Sequence, residues 1–194
     1  MVDVALGTEE VSRWRRRCTD GLTGVVVEPG FGSGLNVPHY PAEVTKVFAV
    51  DPSELGQKLA AKRIAESPAE IEPVGLTGER LPLDDNSCDA GLLTFTLCTI
   101  PDHMAALAEL RRVIRPGGSL HFLEHGLSED ASVQRWQHRL TPVQKRLADG
   151  CHLNRSIVDD IEAAGFDVEW SDASYAGQPK PVTWFTVGRA QTPK

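Results

Sequence analysis

The sequence predicts an α/β fold: a seven-stranded sheet, mostly parallel with a final antiparallel strand, and helices on both faces. Two observations carry this. The run Val25-Val26-Val27 is β-branched and unbroken, as in a strand buried on both faces, and it ends at Glu28 and the alternating glycines Gly30, Gly32 and Gly34. Downstream, apolar runs alternate with helix-forming stretches until the last two strands, which follow one another with only a loop between them.

A chain of 194 residues is expected to form one domain with a single sizeable core, residues 1–20 being a short N-terminal cap. A net charge of -7 argues against a broad electrostatic footprint for nucleic acid or anionic lipid, which leaves a small molecule as the expected partner. No apolar run approaches membrane-spanning length, and Met1 to Glu10 lacks the basic start and apolar core of a signal peptide. The cysteines Cys18, Cys88, Cys98 and Cys151 show no Cys-x-x-Cys pair and no ligand spacing with the histidines. Neither a disulfide frame nor a zinc site is therefore expected, and a reducing cytoplasm fits best.

Taken in order, Val11 to Cys18 reads as a short helix with Trp14 as an anchor, its Arg13, Arg15, Arg16 and Arg17 on a solvated face or, as the alternative, making an anion or lipid contact beside the active site. Strand one follows a turn at Gly21 to Gly24. Pro38 and Pro41 leave room for little more than one helical turn before Val44 to Val50, the second strand. Glu54 to Ser67 is rich in helix formers and is closed by Pro68. Glu70 to Leu76 is a third strand, and Pro73 assigns it to a sheet edge because proline donates nothing to a ladder. Ala90 to Phe95 is the fourth.

Asp102 starts a helix with Met104, Leu107, Leu110 and Ile114 at helical spacing, carrying Arg111, Arg112 and Arg115 in its last turn and stopped by Pro116-Gly117-Gly118. Leu120 to Glu124 is strand five. Ser132 to Asp149 reads as helical and broken at Pro142, and a further helix capped by Asn154 or Ser156 closes at Gly165-Phe166. Val168 to Trp170 and Val182 to Val187 are the closing strands.

The chemistry concentrates after the first two strands. In an open α/β sheet ligands bind beyond the carboxyl ends of the strands, so Glu28 and a glycine loop there point to close approach by a polar small molecule. A dinucleotide fingerprint would place its third glycine at Leu35, and the short first crossover offers little helix dipole to a pyrophosphate. That disfavours a nicotinamide-dependent oxidoreductase. Asp51 ends the second strand about twenty residues beyond the first glycine, where a carboxylate can accept both hydroxyls of a ribose; its other reading is a helix N-cap, a task for which Ser53 is equally suited.

Together with Asp51 and the Arg-x-x-x-Pro-Gly-Gly stop, the pattern Glu28-x-Gly30-x-Gly32-x-Gly34 resembles the methyltransferase type 11 group of class I S-adenosylmethionine-dependent methyltransferases. Gly34 to Pro41, Phe122 to His125 and Asp149 to Arg155 are similar to a branch whose vertebrate members methylate thiols. The resemblance implies a Rossmann-like domain that binds S-adenosyl-L-methionine and methylates a small acceptor. A lipophilic thiol is the first reading; a quinone-like or lipid acceptor methylated on O, N or C, or a non-catalytic cofactor-binding domain, is the alternative. Carried over, Glu28, Gly30, Gly32 and Gly34 would line the methionine end and Asp51 the ribose. Pro52 would lie against the adenine, Thr77, Gly78 and Glu79 along its edge, and the carbonyl of Thr94 or Phe95 would receive the ammonium. The chain departs from the pattern at Pro29, at Thr77 where an acidic residue is common, and in a shorter N-terminal region. His125, just past the fifth strand, is the candidate base.

Overall fold

In the computed structural model, residues 6–74, 80–148 and 150–194 are described. Seven strands form one sheet in the order β3-β2-β1-β4-β5-β7-β6. They are β1 (Gly24–Pro29), β2 (Val44–Val50), β3 (Glu70–Pro73), β4 (Cys88–Thr94), β5 (Ile114–His125), β6 (Asp167–Tyr175) and β7 (Trp184–Gln191). Strands β1 to β5 pair in parallel, whereas β7 runs antiparallel to both β5 and β6. The helices are α1 (Glu9–Thr19), α2 (Glu54–Ala65), α3 (His103–Val113), α4 (Ala131–Leu147) and α5 (Ile157–Ala163).

Alternation along β1 divides the core in two. Val26 packs on one face with Val11 and Cys18 of α1 and Ala60 of α2. Val27 packs on the other with Leu107 and Leu110 of α3 and Ile157 and Ile161 of α5. A parallel strand covered by helices on both sides has no solvent face, which is why its valines run without a polar break.

Strand β3 is an edge strand, as Pro73 requires, and Glu70 and Glu72 reach Lys46 of β2 at 3.0 and 2.6 Å. Such charges discourage further strand pairing at an edge. The expected strand end at Leu76 falls outside the described residues.

Two expectations need correction. Helix α3 ends at Val113, and β5 begins immediately at Ile114, so Arg115 is not in a helical turn; it pairs with Asp89 at 2.9 Å. The Pro-Gly-Gly segment lies within the strand, where Gly118 is needed because a Cβ there would stand 2.6 Å from the Asp89 carbonyl oxygen. Pro142 does not break its helix: α4 runs through it. The carbonyl that loses a donor belongs to the exposed His138, and Thr141 donates its hydroxyl to the Gln137 carbonyl at 2.7 Å. The closing strands also extend beyond the apolar residues that signalled them, because pairing from Asp167–Gln191 to Tyr175–Trp184 carries polar positions along.

The centre of the β5–β7–β6 region tolerates no added volume at Gly188. A Cβ there would lie 2.4 Å from Cζ of the buried Phe122 ring and 2.6 Å from the Trp170 carbonyl oxygen. Gly188→Ala should therefore destabilise the chain by about 1–3 kcal/mol in urea unfolding while leaving S-adenosylhomocysteine affinity unchanged; unaltered stability would mean that this part of the sheet can relax.

Candidate functional site

Strands β1, β2 and β4 end on the same side of the sheet, and their carboxyl ends open into a cleft of about 410 Å³. That volume is within the range of small-molecule sites. Gly30, Gly32, Asp51, Thr94 and Phe95 are among the lining residues. Gly30 and Gly32 both have positive φ, 71° and 56°, but their surroundings differ. A Cβ at Gly30 would fall 2.0 Å from the Thr96 hydroxyl oxygen, whereas one at Gly32 would meet nothing nearer than the Gly30 carbonyl at 3.7 Å. Gly30 is thus demanded by the protein itself, and Gly32 leaves bare backbone facing open space. Gly56, in the first turn of α2, supplies a third close approach, since a Cβ there would be 3.1 Å from the Gly32 carbonyl oxygen.

Asp51 holds the turn between β2 and α2. One carboxylate oxygen accepts from the Gly32 amide at 2.8 Å and the other from the Ser53 amide at 2.7 Å. The helix cap is Ser53, which accepts from the Gly56 amide at 3.1 Å, so Asp51 is released from the capping role. Each Asp51 oxygen retains a lone pair for a further donor. Pro52 is exposed beside it, outside the walls of the cleft.

Glu28 sits beneath the glycine loop, with 1% of its surface exposed. Its carboxylate accepts from the side-chain Nδ2 of Asn36 at 2.9 Å and from the Tyr40 hydroxyl at 2.5 Å. Burial pushes this carboxyl up to about 7, against the opposing pull of Tyr40, Asn36 and the nearby Arg15 guanidinium. Arg15, only 4% exposed, donates to Asn36 Oδ1 at 2.6 Å and to Thr94 Oγ1 at 3.2 Å, and also lines the cleft. The solvated-face reading of α1 is therefore corrected at Arg15: this arginine turns inward while Arg16 and Arg17 pair with Glu9 and Asp172 outside. Gly34 packs against Val37 and the Phe31 ring behind the loop.

The opposite wall is formed by the end of β4. Phe95 has φ 54°, a strained conformation for a bulky residue. Its backbone amide donates a hydrogen bond to the Leu123 carbonyl at 2.8 Å, and the residues that follow it are held by Glu124, next in β5. The buried Glu124 carboxylate accepts three successive amides, Thr96 and Leu97 at 2.9 Å and Cys98 at 3.1 Å. Burial raises this carboxyl and the three amides draw it back down. Glu124 is a structural residue that the sequence marks as the end of the fifth strand and as part of a resemblance, without a role of its own; a carboxylate at a strand end was its available signal.

His125 stands behind Phe95, with ring centroids 5.1 Å apart, and also packs edge-on against Phe185 at 5.0 Å. Its Nδ1 faces two sulfurs, those of Cys98 at 4.0 Å and Cys151 at 3.8 Å. Cys98, His125 and Cys151, which have no ligand spacing in the sequence, are brought together here from distant parts of the chain. Thr77, Gly78 and Glu79 lie outside the described residues.

With the site's geometry in view, its relatives are informative. Residues 27–122, from the first strand to the fifth, match the family model described as Methyltransferase domain. The rat thiol S-methyltransferase TMT1B is 38% identical over 168 residues, covering 84% of this chain and 66% of the relative. Its human counterpart is 34% identical over 177 residues, covering 87% and 70%. Among solved structures, a geranyl diphosphate methyltransferase in complex with SAM is similar in fold, with a TM-score of 0.71 at 11% identity, covering 93% of this chain and 84% of that one. The glycine loop, the second-strand carboxylate and these relatives together establish that the chain belongs to the S-adenosylmethionine-dependent methyltransferase family, alongside thiol S-methyltransferases.

Proposed function

We propose that the chain transfers a methyl group from S-adenosylmethionine to a small lipophilic thiol, in a reducing compartment such as the cytoplasm. The observation that carries the proposal is the 34–38% identity to thiol S-methyltransferases over more than four-fifths of the chain. The four cysteines are free and buried, which suits a reducing compartment. No helix among the described residues is long and apolar enough to cross a membrane.

The residues present fit the cofactor. The backbone at Gly32 is open toward the cleft, and Asp51 has lone pairs available at the cleft wall for the ribose hydroxyls. Gly30 and Gly32 would admit the methionine end, with the carbonyl of Thr94 or Phe95 receiving its ammonium. Glu28 and Gly34 would support the loop from behind, and Pro52, Thr77, Gly78 and Glu79 would border the adenine. Bound there, S-adenosylmethionine supplies a methyl group already activated by sulfonium.

What remains for the protein is alignment and exclusion of water. Phe95 gives the cleft an apolar aromatic face suited to a lipophilic acceptor, and it is backed by the buried Phe185, 4.9 Å away, with Trp14 6.0 Å from Phe185 behind it. A thiol needs only to arrive as thiolate, whereas a hydroxyl or amine would call for a base, for which His125, packed 5.1 Å from Phe95, is the candidate.

Two predictions test this reading. Asp51→Asn should weaken S-adenosylhomocysteine binding in calorimetry by about tenfold or more, since one charged acceptor contributes roughly 1.5–3 kcal/mol; Gly32→Val should weaken it further by filling the open space, and normal binding by both would remove the loop and Asp51 from the cofactor site. For the acceptor, mass spectrometry should detect S-methylation of a small lipophilic thiol, with a rate that rises as pH approaches the thiol's own value of about 8.5. If hydroxylated aromatics are methylated while simple thiols are inert, and His125→Ala abolishes that reaction, a base-assisted O-methyltransferase takes its place.

A further inference from the structure

Beyond the cofactor cleft, Cys98, His125 and Cys151 bring three soft donors together from three parts of the fold. Cys98 follows β4, His125 ends β5, and Cys151 lies in the connection between α4 and α5. The two sulfurs are 3.6 Å apart, and His125 Nδ1 is 4.0 Å from one and 3.8 Å from the other. We propose that these three residues form a binding site for a soft divalent cation, zinc in the first instance.

The distances carry the argument. Tetrahedral zinc, with Zn–S of about 2.3 Å and Zn–N of about 2.0–2.1 Å, separates two sulfurs by about 3.8 Å and a sulfur from a nitrogen by about 3.6 Å. The observed triangle lies within a few tenths of an ångström of that face. A disulfide would instead require the sulfurs to close to about 2.05 Å, and it would make no use of an imidazole nitrogen almost equidistant from both.

The donors are also held in place. The Cys98 amide donates to Glu124 at 3.1 Å, and its carbonyl accepts from the His152 amide at 2.8 Å, which ties it to the segment bearing Cys151. The Cys151 amide donates to the Ala148 carbonyl at 2.9 Å. Leu153, with Leu140 and Val182, forms an apolar surround. Two thiolates and a neutral imidazole bring a charge of minus two, so a divalent cation leaves the buried cluster neutral. Three protein donors leave a fourth position for solvent or another small ligand. Bound metal would clip the α4–α5 connection to the ends of β4 and β5, beside the packed rings of Phe95 and Phe185.

The test is a cobalt titration of the full chain, first reduced and stripped of metal by a chelator. Cobalt reports tetrahedral thiolate ligation through a sulfur-to-metal charge-transfer band, independently of any activity. The expected result is one cobalt per chain, a thiolate band displaced by zinc, a higher unfolding temperature when loaded, and loss of the band in Cys151→Ser and Cys98→Ser but not in Cys88→Ser. If a cysteine variant fails to fold, judged by circular dichroism, the wild-type titration and His125→Asn, which should weaken binding at least tenfold, still decide. A reduced wild-type chain that gives no thiolate band overturns the proposal, as does a band that survives in a folded Cys151→Ser chain. Should the two thiols join as a disulfide and take no cobalt after reduction, they are a redox pair and the metal site is rejected.

Discussion

The cleft rests on a carboxylate that never reaches it. Glu28 closes β1 in the interior and fixes Asn36 and Tyr40, the residues on either side of the short turn Val37–His39. Asn36 in turn is bonded to Thr94 at 2.8 Å and receives Arg15. One buried polar network thus ties the end of β1, the chain beyond the glycine loop, the end of β4 and helix α1. A buried network is favourable only when its members are satisfied, and removing one partner leaves the others with the desolvation cost. The glycine loop therefore has a fixed floor, above which Gly30 and Gly32 take the positive φ that glycine adopts readily.

The same logic recurs across the cleft with a second carboxylate. Glu124 gathers three amides after β4, and Phe95 keeps a left-handed conformation because that turn is determined on both sides. Thr96 from this turn fills the space that a side chain at residue 30 would occupy. The two walls are therefore interlocked through a steric contact rather than being independent loops. Such rigidity suits a reaction in which alignment is the main contribution of the protein.

Most of the fold was legible because its signals are local. The valine triplet, Pro73 and the glycine alternation each dictate a backbone state within a few residues. Misreadings arose where the deciding partner was distant. Arg15 looks like its neighbours in a basic run, and only packing against Asn36 and Thr94 distinguishes it. Pro142 looks like a helix breaker unless the exposed face of α4 is known. Cys98 and Cys151 have no motif spacing because 53 residues separate them, and Gly56 could not be told from any helical glycine until the loop backbone was seen against it. At the site itself, the residues on the strand ends were identifiable, whereas the network below them was not.

The buried state of Glu28 is the central claim, and its pH linkage tests it most directly. The folded carboxyl titrates near 7 and the unfolded one near its ordinary value of 4.5, so the folded chain retains the proton longer as pH rises. Stability relative to Glu28→Gln should be greatest below about pH 4.5 and fall until about pH 7, by on the order of 3 kcal/mol across the window. The measurement is urea unfolding of cofactor-free wild type and Glu28→Gln from pH 4.5 to 8, the substitution itself adding only a pH-independent offset. A difference that declines with rising pH is the predicted result. A difference that stays constant, or grows in favour of wild type, would contradict a desolvated carboxylate beneath the glycine loop.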